Sequence, residues 1–519
     1  MSSERLIHTP KLVLSGSITK HGIEILDQLE SSKASAQSSL LSFCLPFNPY
    51  RTSLNKNFLP FDEIIWCQLS STADSLGGQP IMDVTYVDPK ASPVRPNQVS
   101  IQIKNSKDSI SQLSNNDSQE TDLSQLILSK AYKAHKVSPS ILVVINPHGG
   151  QGKAIEIYEN QILPILRAAN VTVQYMETKY HEHAVDIARE LDVSRYDIIA
   201  CCSGDGIPHQ IINGFYERPD RGLSAFDNIA VTQLPCGSGN ALTLSTYGSN
   251  DAALSTFLML KAEPTKLDLM AVSQGSRPTK LSFLSQCFGI IADSDIGTEH
   301  LRWMGSIRFE LGVVKKVLSR ATYPCDIYVD YIAENKNDLE DHFNKHNAKD
   351  ALTTESISSS SKKGLFKSIV PSDLELRGAP LNEEPPINWV KLPNSVTKNL
   401  SIFYVGKMPY ISSDTQFFPA ALPNDASMDM VVTDINTSIM ETTKILLSID
   451  KGLHVHSDKV LHAKIRNYRL VPRLKSTKDH YISIDGESFP FEPLQVEILP
   501  GILTALLPNG SFVETSFAK

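Results

Sequence analysis

With 519 residues, 41% of them hydrophobic and 20% charged, the chain has the composition of a globular protein and enough length for about two to four packed cores. A net charge of -8 at pH 7 argues against general nucleic-acid binding, which calls for a basic surface, and gives no bulk attraction to anionic membranes. No run of about 18 apolar residues is present, and Met1 to Lys20 lacks a basic stretch followed by an apolar one, so neither a spanning helix nor a secretory signal is expected.

Residues 1–121 read as an extension. A Ser-rich run, Ser31 to Ser42, and a polar run, Asn105 to Asp122, bracket β-like segments at Glu63 to Leu69, Met82 to Val87 and Gln98 to Ile103. These fit either a small β-rich regulatory or targeting module or a partly disordered extension. Asp122 is placed to N-cap a helix carrying Leu123, Leu126, Ile127 and Ala131, with Pro139 expected to end it. The 7 cysteines are scattered without a CxxC pair, as for reduced thiols in the cytosol.

From Ser140 strands and helices alternate. Ile141 to Ile145 is a continuous β-branched and Leu run, as in a strand buried on both faces. A helical period follows (Ile155, Tyr158, Ile162, Ile165, Ala169), which Pro164 should kink or split. Strands are expected at Val171 to Met176, Asp197 to Cys202 and Ile229 to Leu234. Helices are expected at Ala184 to Leu191, Ile207 to Phe215, from about Ala241, and at Ala252 to Leu260. This order predicts a doubly wound α/β domain over 122–275, with ligands bound beyond the carboxyl ends of its strands.

A second, mostly antiparallel β domain is expected over 276–519. Its strands are Lys280 to Cys287, Cys325 to Tyr331, Leu400 to Val405, Met428 to Val432, Lys464 to Leu470, Tyr481 to Ile484 and Leu494 to Ile498. A polar stretch from about 334 to 393, containing Ser358-Ser359-Ser360-Ser361-Lys362-Lys363, reads as a mobile insertion and a candidate phosphorylation site.

Three glycine turns fall at three successive strand ends: Asn146-Pro147-His148-Gly149-Gly150-Gln151-Gly152-Lys153, Ser203-Gly204-Asp205-Gly206 and Gly237-Ser238-Gly239-Asn240. The first is no Walker A loop, because Ala154 stands where Ser or Thr would be needed, and GxGxxG is absent. Each turn alone is a weak signal. Together they line one sheet edge, where backbone N–H groups can cradle a triphosphate. Asp205 would then be a proton acceptor beside bound phosphate, which suggests phosphoryl transfer to a hydroxyl. His181 and His183, two ligands at i and i+2, make a poor metal set.

The trio INPHGGQGKA, SGDG and CGSGNAL resembles the lipid-kinase branch of the diacylglycerol kinase catalytic-domain superfamily. GSGNAL with Leu267 to Met270, Arg302-Trp303-Met304-Gly305, Gly406-Lys407-Met408-Pro409-Tyr410, Phe418-Pro419-Ala420-Ala421 and Asp485-Gly486-Glu487 are similar to sphingosine kinases, and in wording to fungal sphingoid long-chain base kinases. The resemblance runs from about Leu123 to the C-terminus. It implies an ATP- and Mg2+-dependent kinase that phosphorylates the primary hydroxyl of sphingosine, dihydrosphingosine or phytosphingosine.

By that resemblance Asp205 is the general base. Asn146, Pro147, His148, Gly149 and Gly150 would hold the nucleotide, with Thr178, Lys179, Tyr180, His181 and Glu182 after the second strand. Ser203, Gly204, Gly206, Gly237, Ser238 and Gly239 would line the phosphates, and Ser203, Gly204 and Gly206 also the substrate. Arg302 and Arg308 would clamp the β- and γ-phosphates, while Asp485, Gly486 and Glu487 would face nucleotide and magnesium. The metal is expected to arrive with ATP, and no residue is assigned as its ligand. Asp295 matches the acidic residue that meets the cationic amine of the sphingoid head group, with Asp293 close by. Gln210 stands where the family carries a nucleotide-side glutamate, and His148 and Gln151 also depart from the usual residues.

An insoluble substrate implies an apolar tunnel in the second domain and peripheral contact with internal (ER, Golgi, endosomal) or plasma membranes from the cytoplasm; Phe257 to Leu260 can be tunnel wall or core. A homodimer is compatible with this. The alternatives are a diacylglycerol or ceramide kinase, a non-catalytic lipid or nucleotide sensor, and a nicotinamide-dependent oxidoreductase, the last disfavoured by the missing GxGxxG.

Overall fold

A computed structural model of the chain describes residues 13–28, 56–70, 80–104, 122–133, 135–298, 307–347, 368–474 and 480–518. The chain divides into two compact units. One comprises Met1–Ser140, Glu156–Val173 and Asp251–Ala262; the other comprises Ile141–Ile155, Gln174–Asn250 and Glu263–Lys519.

The first unit is β-rich. Strands β1 (Val13–Ile18), β2 (Gly22–Gln28), β3 (Phe58–Pro60), β4 (Ile64–Leu69), β5 (Ile81–Val87) and β6 (Pro96–Ile103) form a six-stranded sheet in the order β3-β2-β1-β6-β5-β4. Helix α1 (Leu123–Tyr132) starts where expected, with the Asp122 side chain accepting from Ser124 N at 3.0 Å. It ends at Lys133, whose φ is 51°, so Pro139 is not its stop. Leu126, Ile127 and Tyr132 pack into the core of the N-terminal sheet beside Ile64, Met82, Val84 and Ile101. The helix therefore belongs with the extension, which corrects the boundary expected after residue 121.

The second unit carries a parallel sheet of β7 (Ser140–Ile145), β8 (Thr172–Glu177), β9 (Ile198–Ser203) and β10 (Ala230–Pro235), in the order β10-β9-β7-β8. Consecutive strands thus run to opposite sides of β7, and the order reverses between β7 and β9. Such a switch point opens a crevice at the carboxyl ends of the strands. Helices α2 (His183–Glu190) and α3 (Gly206–Tyr216) lay Ala184, Ala188, Ile207, Ile211 and Phe215 on Leu142, Val144, Ile199, Cys201 and Val231. Helix α4 (Ala241–Tyr247) follows β10. Residues Tyr158–Ile162 form a π turn immediately before the segment that holds Pro164 at its start, so the helix is re-wound rather than broken there. Helix α5 (Ala252–Lys261) buries Phe257, Met259 and Leu260 and packs on residues 158–168 within the first unit, which settles these residues as core.

The antiparallel layer begins earlier than residue 276. Strand β11 (Glu263–Gln274) pairs with the last strand along nearly its whole length. With it come β12 (Lys280–Ser282), β13 (Ser285–Gly289), α6 (Ile290–Asp295), α7 (Ile307–Leu318), β14 (Cys325–Ala333), β15 (Val390–Lys391), β16 (Leu400–Gly406), β17 (Met428–Asp434), α8 (Ile439–Leu447), β18 (Leu461–Pro472), β19 (Ile482–Ile484), β20 (Glu487–Phe489) and β21 (Leu494–Leu507). All these strands join one 11-stranded sheet around a core that includes Phe288, Phe403, Val431, Tyr468 and Val496. Much of the expected insertion is packed onto this layer. The helix Lys336–Asn347 buries Leu339 and Phe343 against Ala420 and Leu422, and Ile369 and Leu374 join a core cluster. Ser358 to Ser361 lie outside the described residues.

Candidate active site

The three glycine turns meet at the switch point. After β7, the carbonyl of Asn146 accepts from Gly149 N at 2.9 Å and its Oδ1 from His148 N at 3.1 Å. This folds Asn146-Pro147-His148 into a turn that feeds Gly149 and Gly150 into a helical turn. Asn146 N donates to Cys202 O, and Cys236 N to Ser203 O, both at 3.3 Å, which ties neighbouring turns together. The second and third turns touch backbone to backbone. A Cβ on Gly237 would stand 2.2 Å from Gly204 Cα, so no other residue fits there without separating the turns. Ser203 is buried and donates to Gly204 O at 2.7 Å, whereas Ser238 is exposed. Asn240 closes the third turn by exchanging hydrogen bonds of 3.1 Å with both backbone groups of Gly237.

Asp205 stands at the mouth of this cluster, at the start of α3 and half-buried. Its Oδ1 accepts from Gln233 Nε2 at 3.1 Å and from Ala241 N at 2.8 Å. Burial is the largest influence on its carboxyl and raises the pKa to about 6. The hydrogen bonds from Gln233, Ala241 and the Leu242 backbone oppose that rise, and the charge of Asp485 adds to it. A carboxylate so poised is a better proton acceptor than an exposed one. Neither Gln233 nor Ala241 was among the expected site residues. The available signal was a lone amide, Gln233, on an otherwise apolar strand directly before a glycine turn.

Thr178 to Glu182 form an open loop beyond β8, joined to the first turn through Thr178 N, which donates to Ile145 O at 2.8 Å. Lys179 N donates to His183 Nδ1 at 3.1 Å, and the Tyr180 ring packs on His183 at 4.4 Å between ring centres, tilted by 39°. His183 thus shapes the loop. Lys179, Tyr180, His181 and Glu182 are exposed, and Glu182 has a φ of 63°. Gln210 is half-buried in the second turn of α3.

Asp485 corrects one expectation. Rather than opening toward a nucleotide, its buried carboxylate accepts from Ser282 Oγ (2.6 Å), from the backbone N of Phe283 (3.1 Å), Leu284 (3.1 Å) and Ser285 (2.9 Å), and from His209 on α3 (2.8 Å). It pins the antiparallel layer to the helix that leaves Asp205. Asn213, one turn further along α3, exchanges hydrogen bonds with both backbone groups of Leu281 (2.8 and 2.9 Å) and strengthens the joint. Asp485 and Gly486 take positive φ, 51° and 84°, which turns the chain back so that Glu487 Oε1 lies 3.4 Å from where a Cβ on Gly206 would stand. Glu487 is therefore the acidic residue of this motif that borders the Asp205 turn.

The neighbours Asp293 and Asp295 differ sharply. Asp293 is buried and accepts from Lys316 Nζ (2.7 Å), Tyr323 OH (2.8 Å), His480 Nδ1 (3.0 Å) and Tyr481 N (3.1 Å). Asp295 is half-buried at the end of α6, with Ser483 Oγ at 3.4 Å. Of the two, Asp295 is the less buried. Arg302 lies outside the described residues; Arg308 is in the first turn of α7, and its side chain lies outside them too. Among the described residues no group of three or more His, Cys, Asp or Glu is arranged to hold a metal ion.

The diacylglycerol kinase catalytic domain matches residues 140–272, and the YegS C-terminal NAD kinase beta sandwich-like domain matches residues 395–507. Sphingoid long chain base kinase 5 of Saccharomyces cerevisiae is 42% identical over 478 residues, which cover 84% of this chain and 68% of that protein. Sphingoid long chain base kinase 4 of Schizosaccharomyces pombe is 34% identical over 388 residues, 75% of this chain and 79% of that protein. Human sphingosine kinase 1 is 26% identical over 377 residues, 69% of this chain and 88% of that protein. With glycine turns converging on one carboxylate at the switch point and this extent of identity, the chain belongs to the sphingoid long chain base kinase family.

Proposed function

We propose that this protein transfers the γ-phosphoryl group of ATP to the primary hydroxyl of a sphingoid long-chain base, giving the 1-phosphate. The observation that carries the proposal is Asp205, its pKa raised to about 6, set between its own glycine turn and the third at a topological switch point, with the first glycine turn tied to them through the backbone. The turns offer backbone N–H groups to the phosphates, and Asn146 to Gly150 with Thr178 to Glu182 flank the nucleotide. Magnesium enters with the phosphates as part of the nucleotide substrate. Asp205 takes the hydroxyl proton as the oxygen–phosphorus bond forms and the bond to the β-phosphate oxygen breaks, leaving ADP. The transition state of phosphoryl transfer is loose, so orientation and charge neutralisation count for more than base strength. Asp295 contacts the substrate amine, a charge-assisted pairing that diacylglycerol cannot make.

The same proposal includes peripheral contact with a membrane, because the substrate resides in one; no helix among the described residues is long and apolar enough to cross a bilayer. The test is incubation of purified protein with labelled ATP and a panel of sphingosine, dihydrosphingosine, phytosphingosine, ceramide and diacylglycerol, beside Asp205→Asn. Label is expected on the free bases alone, with a loss of about 10²–10⁴-fold in the variant. Label on diacylglycerol but not on the bases would overturn the substrate assignment.

A further inference from the structure

We propose that Gln233 is a positioning residue that orients the Asp205 carboxylate and selects Oδ2 as the oxygen that receives the proton. The proposal rests on Asp205 being the base and deepens that assignment.

Gln233 is fully buried on β10, two residues before the strand ends. A buried side-chain amide is retained only where both of its ends are satisfied. Here Oε1 accepts from Thr243 N at 3.0 Å and from Thr243 Oγ1 at 3.2 Å. The Thr243 hydroxyl also lies 2.8 Å from Gln233 O. A flipped amide would turn its NH₂ toward the Thr243 amide, so the orientation seen is the one the helix enforces. Nε2 is thereby aimed at Asp205 Oδ1, 3.1 Å away, with Ser203 O at 3.5 Å.

Ala241 N ends on the same Oδ1 at 2.8 Å. These two donors both end on Oδ1 and do not engage Oδ2; the backbone of Leu242, next to Ala241, also hydrogen-bonds the carboxylate. Oδ2 faces the third turn, where a Cβ on Gly239 would approach it to 2.7 Å. The second oxygen therefore looks into the space that glycine leaves open beside the phosphate-binding turns. A hydroxyl placed there donates its proton to Oδ2 as its oxygen bonds to phosphorus; the proton later leaves to water. Other ionisable groups bordering Asp205 are Asp485, Glu487 and His209, the last paired with Asp485 at 2.8 Å.

The test uses the full chain and Gln233→Met, which keeps volume but removes the donor, with Gln233→Glu as a second variant. Gln233→Met should lower kcat by about 10- to 100-fold, the worth of a hydrogen bond to a charged group, with KM for ATP changed less than threefold. Its acidic limb in kcat against pH should move upward, since a donor that favours the carboxylate is gone. Gln233→Glu should move that limb further, because two carboxylates would compete for one proton. Unchanged kcat and an unchanged limb in Gln233→Met overturn the proposal. So does lost activity that follows lost folding, with the limb of the residual activity unmoved. Asp205→Asn separates the two levels. If it is inactive while Gln233→Met is normal, only the positioning role falls; if it is fully active, base and positioning role fall together.

Discussion

At the scale of one residue, the site turns on the placement of Asp205. Its carboxyl is raised to about 6, mainly by burial. With Asp205 as the proposed base, transfer needs its ionised form, so kcat/KM should fall as pH drops through about 6, and Asp295→Asn should leave that limb in place. The same burial costs stability. A carboxyl with a raised folded pKa is destabilising once ionised, so above pH 6 the folded state carries a penalty that Asp205→Asn relieves. We expect that variant to lose activity yet gain about 1–3 kcal/mol at pH 7.5 and nothing near pH 4, read by thermal unfolding at both pH values. Equal melting temperatures at pH 7.5 would show that the carboxylate is better solvated than its burial implies. Asp205 was legible because its flanking glycines advertise a turn. Gln233 was not, because its importance comes from Thr243 and Asp205, which approach it only after the strand and two helices have packed.

At the scale of elements, apolar runs were the readable signal, and the exceptions have local causes. The expected strand from Lys280 to Cys287 is two strands, because the amides of Phe283, Leu284 and Ser285 turn to the Asp485 carboxylate instead of a ladder partner. Strand β1 was missed because Ser15, Gly16 and Ser17 weaken its apolar pattern, although Ser15 is fully buried. Buried charge was equally illegible. Lys407 after β16 meets Asp268 on β11 at 2.7 Å and also Asp425; Lys464 on β18 meets Asp425 at 3.1 Å and Asp429 on β17 at 2.6 Å. Both lysines are fully buried, so they are the cations that balance these buried carboxylates. Lys407→Met should cost about 3–5 kcal/mol in urea unfolding by leaving buried Asp268 with the backbone donors of Ala426 and Gly501 and taking one of two lysines from Asp425, whereas the same change at exposed Lys444 should cost under about 0.5. A Lys407→Met protein as stable as the parent would mean that water or rearrangement satisfies those carboxylates.

Lys261 is a different buried lysine. Its Nζ donates to Ile64 O and to Ala131 O, in the last turn of α1, and lies 4.1 Å from the centre of the Tyr132 ring. Burial lowers its pKa to about 7. Between pH 7 and the unfolded value near 10.5 the unfolded chain holds the extra proton, so this lysine makes stability rise with pH across that window. Lys261→Met should flatten the rise between pH 7.5 and 9.5 in thermal unfolding of the full chain. An unaltered slope would assign it to other groups.

At the scale of the whole molecule, the order of α/β and antiparallel parts was legible, but their limits were not. Residues 122–133 look like the start of the catalytic domain until Tyr132 is seen donating to Ile65 O at 2.7 Å inside the N-terminal sheet. Nor does sequence reveal which apolar residues the fold leaves outside. On α7, Leu311, Val314 and Leu318 are 54%, 53% and 63% exposed at positions that share one helix face. On α8, which touches α7, Met440 and Leu447 are 70% and 75% exposed. Scattered exposed leucines need no explanation, but here five large exposed side chains stand on two contacting helices, which also carry exposed Lys315 and Lys444. The proposed membrane contact would have a use for such a face. Replacing Leu311, Val314 and Met440 together by Ser removes apolar area that would otherwise enter the interface, and co-sedimentation with vesicles containing anionic lipid should fall about 10-fold or more. Turnover of vesicle-borne base should fall with it, while turnover of the same base dispersed in detergent should stay within about twofold. Loss in both assays would point to damaged packing of α7 against α6, and unchanged sedimentation would rule this face out as a membrane contact.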